Sequence, residues 1–166
     1  MKGMGIFLIL FSGFLCSYNI KKNYKKRIEV IEEFIKNLEI MSTQISFYKM
    51  NVYDILIYLY SSSGNPLKKF YEEIVGSIEK DGVENSFKKS LYSADAGFNN
   101  KDKKLISEFA HTLGNTDYNT QLNSIEATKE LFKYELYEAK NNRDRNEKAK
   151  CTLVMSSFIV LALILI

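Results

Sequence analysis

Two uncharged, strongly apolar stretches bracket this chain and constrain it more than anything between them. One runs from Met4 to about Ile20 (MGIFLILFSGFLCSYNI), the other from Cys151 to Ile166 (CTLVMSSFIVLALILI). Each is near the lower limit of about 17 residues for a bilayer-spanning helix. Backbone N–H and C=O groups in lipid have no water to bond, so such stretches are expected to be helical. The flanking charge is one-sided. Lys2 alone precedes the first stretch, whereas Lys21, Lys22, Lys25, Lys26 and Arg27 follow it. Lys140, Arg143, Arg145, Lys148 and Lys150 precede the second. Because basic residues stay on the cytoplasmic side, residues 21–150 are expected in the cytoplasm, with both termini outside. The domain plan is therefore a transmembrane helix at 1–20, a cytosolic domain at 21–150 and a transmembrane helix at 151–166. A cleaved signal peptide fits the first stretch poorly, because the positive charge follows the apolar run and no A-x-A-like site is present.

Between the stretches the apolar spacing is helical almost throughout, and a single proline leaves little to break it. From Tyr24, apolar side chains recur at Ile28, Ile31, Ile35, Leu38 and Ile45, widened by Phe34, Met41 and Tyr48. That spacing predicts one long amphipathic helix to about Tyr48. A short apolar helix is expected at 52–61, ended by the Ser-Ser-Ser-Gly-Asn run. Pro66 suits the first turn of a third helix, which Asp81 and Gly82 terminate. A fourth helix is expected at 83–94. A fifth at 102–113 puts Leu105, Ile106, Phe109 and Leu113 on one face, with Gly114 where a C-terminal cap belongs. The sixth begins at Thr116 or Asp117, either of which can cap it, and carries Tyr118, Leu122, Ile125, Phe132, Leu136 and Ala139 as its stripe. No breaker separates Asp117 from Ile166, so this helix and the last apolar stretch are expected as one rod of roughly 75 Å. The fold class is all-α: a six-helix bundle cytosolic domain flanked by N- and C-terminal transmembrane helices.

The residues offer little for catalysis. The chain lacks a P-loop and a G-x-S-x-G elbow. Two cysteines, Cys16 and Cys151, sit in the apolar ends without a CxxC partner, so neither a disulfide framework nor a zinc site is expected. A formal net charge of +3, with basic residues gathered beside the apolar ends, points to a membrane and away from nucleic acid. Glu32, Glu33, Glu72, Glu73, Glu135 and Glu138 stand among lysines at helical spacing, as on a solvated helix face. The one histidine, His111, lies on a helix of a predicted bundle. Histidine phosphotransfer domains share that placement, but here the nearby lysine they carry is missing. The ordinary reading is a surface or half-buried histidine near a helix C-terminus. The chain is thus expected to be a non-enzyme without cofactor or metal. A membrane-held scaffold, a phosphotransfer protein using His111 and a generic membrane-anchored helical protein remain the three open classes.

The segment EFAHTLGNTDYNTQLNSIEATKELF resembles one in the stage III sporulation protein AB family. There a helix ends in Leu-Gly, and an Asp and a Gln open the final helix; the matching residues here are Leu113, Gly114, Asp117 and Gln121. LEIMSTQISFYKMNVYDIL resembles the family's join between first and second helices, with Gln44 where a Glu is usual and Met50, Asn51 and Val52 in place of a Thr-Pro-Leu turn. The resemblance covers essentially the whole chain. It implies a bundle like the cytosolic domain of the F component of type II secretion platforms. It also implies a place in the mother-cell membrane around the forespore, within a complex that forms a channel between the two cells in endospore formation. Other proteins of that complex, including a cytosolic secretion-type ATPase, are the implied partners. The corner of Gly114, Asn115, Asp117 and Gln121 is the candidate docking region, since turns between rigid helices often carry function. The same residues are also what two adjoining helix caps require.

Overall fold

The computed structural model describes residues 2–64 and 67–164, with side chains for all of these except residues 2, 3, 6, 10, 114 and 115. Every regular element among them is an α-helix: α1 (Lys2–Tyr48), α2 (Val52–Ser62), α3 (Leu67–Ser93), α4 (Asn100–Asn115) and α5 (Tyr118–Ile164). Five elements stand where six were expected, because the third and fourth helices meet without a gap. They form the two arms of α3 and join at Gly82, whose φ of +75° and ψ of 171° are not helical. Pro66, expected to open that helix, lies outside the described residues. Two helices are long: α1 and α5 each span 47 residues, and α5 runs unbroken as its sequence pattern implied.

The helix ends follow from local chemistry. Lys49 takes a left-handed conformation (φ +53°) and stops α1. Its N–H and that of Met50 return to the carbonyls of Ile45 and Gln44 at 3.2 and 3.3 Å, satisfying two of the helix's last acceptors. Asn51 caps α2: its Oδ1 accepts from the Asp54 N–H at 2.9 Å, while its Nδ2 donates to Asp54 Oδ2 at 2.6 Å. Asn99 and Asp102 form a reciprocal capping box at the start of α4, at 2.8 and 2.9 Å.

Contacts divide the chain into two compact units, residues 29–136 and residues 1–28 with 137–166. The first has an aromatic core. Phe34 packs on Phe132 at 4.7 Å and on Phe98 at 5.6 Å; Phe70 joins Phe98 at 5.7 Å and Phe87 at 5.8 Å. These separations lie in the favourable range for tilted and edge-on ring pairs. Ile31, Leu38, Met41, Ile55, Leu59, Leu67, Ile74, Ile106 and Ile125 complete the interior. Burying each such side chain stabilises the fold by about 1.5–3 kcal/mol. Two interior polar groups are paired: Asn37 Nδ2 donates to Ser63 Oγ at 3.1 Å and to Tyr71 Oη at 3.3 Å, and Ser90 Oγ donates to the Phe70 carbonyl at 2.7 Å, whereas the buried Ser86 Oγ has no partner. Burial pushes the Tyr71 hydroxyl well above its usual ionisation range. Glu135 departs from the solvated face expected for it: its side chain is only 4% exposed and is paired with Lys101.

In the second unit the two helices run antiparallel. A Cβ on Gly13 would meet Phe158 Cβ and Cγ at 2.9 Å, so only glycine allows this approach. Cys151 Sγ sits 3.7 Å from the Ser17 carbonyl, and Lys150 lies over the Tyr24 ring at 5.4 Å. Most of the large apolar side chains here stay uncovered, among them Phe7, Phe11, Phe14, Leu153, Val160 and Leu163. Among the described residues, no helix is long and apolar enough to cross a membrane.

Candidate functional site

The turn between α4 and α5 brings Asp117 and Gln121 together. α4 continues through the Gly114 and Asn115 backbone and is capped at Thr116, so Gly114 is inside the helix and not at its cap. The Gly114 and Asn115 side-chain positions lie outside what is described. Gln121 supplies the closure that a capping glycine would have provided: its Nε2 donates to the carbonyls of Leu113 at 3.1 Å and Thr116 at 3.0 Å. Asp117 caps α5. Its Oδ2 accepts from the N–H groups of Asn119 and Thr120 at 3.1 and 3.3 Å, and its Oδ1 from Thr120 Oγ1 at 2.6 Å. These bonds, the Thr120 hydroxyl first, hold the exposed carboxyl below its ordinary range.

The corner is also tied to the end of α1. Tyr118 Oη donates to the Ile45 carbonyl at 3.0 Å, lies 3.2 Å from that of Ser46, and accepts from Lys49 Nζ at 2.8 Å. The Lys49 ammonium also sits 4.1 Å from the Tyr118 ring centroid, a cation–π contact. Beside this anchor two aromatic residues stand in the open: Phe47 is 80% exposed and Tyr48 69%. Spacing alone placed Tyr48 on the core face; α1 ends at Tyr48 and leaves it outside. Lys49 and Tyr118 carried no local signal as site residues, since the contact joining them spans 69 positions.

His111 is exposed, and its Nδ1 lies 2.7 Å from Glu84 Oε2. Glu84 also accepts from Lys88 Nζ at 2.5 Å. Among the described residues no three His, Cys, Asp or Glu side chains converge on a point that could hold a metal ion.

All the basic flanking residues belong to the unit of residues 1–28 and 137–166. Lys21, Lys22 and Lys25 on α1, and Arg145, Lys148 and Lys150 on α5, are exposed; Lys26, Arg27 and Arg143 are half-buried. Arg143 pairs with Asp144 at 3.0 Å.

Comparison with known proteins matches the chain to the family described as stage III sporulation protein AB over residues 2–166. No curated protein and no solved structure matches. The match agrees with the resemblance drawn from Leu113, Gly114, Asp117 and Gln121 and spans nearly the whole chain. The chain belongs to the stage III sporulation protein AB family, which gives it a role in sporulation.

Proposed function

We propose that this protein is a non-enzymatic, membrane-held platform in the complex that joins mother cell and forespore, and that its central helical unit docks a cytosolic secretion-type ATPase. Family membership supports the sporulation setting. The observation that carries the membrane part is the uncovered apolar shell of the terminal unit, with basic residues gathered at one end of it. Water tolerates contiguous apolar patches of only a few hundred Å² on a soluble monomer. A short apolar helix is accommodated in a bilayer by local thinning and by lysines that extend their stems to the interface. Both basic flanks then lie in the cytoplasm, with both termini on the other side.

Docking is assigned to the corner of Gly114, Asn115, Asp117 and Gln121, together with Phe47 and Tyr48. Exposed aromatics beside a fixed charge are the residue types that dominate protein interfaces. The detergent-solubilised full chain is expected to capture the ATPase from a sporulating-cell lysate. Asp117→Asn keeps a good cap but removes the charge, so it should weaken capture while leaving the melting temperature within about a degree or two. Undiminished capture by Asp117→Asn together with Phe47→Ala would limit this corner to helix capping.

A further inference from the structure

A groove of about 480 Å³ runs between α1 and α5 in the terminal unit. That is within the usual size for a ligand site. Its walls are graded in one direction. On α1, Lys21, Ser17 and Phe14 line it in that order, four and three residues apart, on one helix face. On the antiparallel α5, Thr152 faces the polar end, and Met155 and Ile159 the apolar end. Charge, hydroxyl and hydrocarbon therefore follow one another along the α1 wall, while α5 offers the Thr152 hydroxyl and then Met155 and Ile159, with Ser156 between them.

Ser17 differs from the other serines of the terminal helices, though Ser86 in the central unit shares its lack of a partner. Its neighbours satisfy their hydroxyls within their own helix: Ser12 donates to the Leu8 carbonyl at 2.8 Å, and Ser156 and Ser157 to the Leu153 carbonyl at 3.0 and 2.8 Å. Ser17 is 8% exposed, and its Oγ has no partner. A buried hydroxyl without a hydrogen bond costs about 1–3 kcal/mol, and an external acceptor removes that cost.

We propose that the groove holds one chain of an anionic phospholipid, with the phosphate at the Lys21 ammonium, an ester oxygen at the Ser17 hydroxyl after rotation about its χ1, and the acyl chain along Phe14, Met155 and Ile159. The order phosphate, ester, hydrocarbon matches the order along the α1 wall, and the cation at the polar end selects a headgroup with net negative charge. This inference rests on the membrane reading above.

The test uses the full chain reconstituted into bilayer discs of equal phosphatidylglycerol and phosphatidylcholine, then released into mild detergent and weighed by native mass spectrometry. One retained phosphatidylglycerol is expected, in preference to phosphatidylcholine. Lys21→Gln should cut that preference about tenfold, as loss of a charge-assisted contact does. Lys22→Gln removes the same charge one residue away but does not line the groove, and should leave the preference intact. Met155→Trp fills the groove and should abolish retention of either lipid. Equal losses in Lys21→Gln and Lys22→Gln, or no retained lipid in the wild type, overturn the site while leaving the membrane reading standing. Failure of the chain to enter discs or vesicles of any composition overturns both.

Discussion

Asn37 is buried where its amide group serves two hydroxyls at once, Ser63 Oγ and Tyr71 Oη. Asn37→Ala leaves both without that donor, and a loss of about 1–3 kcal/mol is expected in urea unfolding. Tyr71→Phe added to Asn37→Ala should recover part of it, because one stranded hydroxyl is then gone; no recovery would assign the loss to packing alone. Glu84 behaves differently because it faces solvent. Hydrogen bonds from Lys88 and then His111 hold its carboxyl below the usual 4.5. A lowered folded value means that the ionised form stabilises the fold. The contribution is full above 4.5 and disappears as pH falls through the lower folded value. Glu84→Gln should therefore melt earlier than the wild type at neutral pH, with the two curves converging in acid; a constant gap would remove the carboxylate as its cause. Neither Asn37 nor the buried Glu135 was legible from spacing, which reads apolar residues only. Their partners lie far along the chain, 26 and 34 positions away for Asn37.

At the level of elements, the sequence was more transparent. Long apolar periodicity, Asp81–Gly82 and Asp117 marked helix starts and stops close to where they fall, because caps and breakers act over three or four residues. Gly114 misled, since Gln121 closes α4 from the next helix and leaves the glycine free to remain helical. Gly82 is where local reading and geometry agree best. Its φ of +75° with ψ of 171° belongs to a region held almost solely by glycine. A Cβ there meets nothing within 4 Å, so Gly82→Ala is a purely conformational insult. The expected cost is about 1–3 kcal/mol by chemical denaturation, with the α3 kink retained. A neutral substitution would mean the kink straightens at no cost.

For the whole molecule, the ring cluster and its aliphatic surround lie entirely within residues 29–136. Those residues expressed alone should be helical by circular dichroism and melt in one cooperative step. A broad transition with dye-binding apolar surface would show that the core needs the terminal segments. The terminal unit is built on the opposite plan, from the two ends of the chain. Ser17 meets Cys151 across 134 positions. At translation speeds of about 5–20 residues per second, the first helix waits on the order of ten seconds before its counterpart leaves the ribosome. Throughout that interval the face around Gly13 lacks the Phe158 side chain it rests on in the finished fold. A nascent chain stalled before Phe158 is accordingly an early helix with its side open, and translation through Phe158 decides whether it closes.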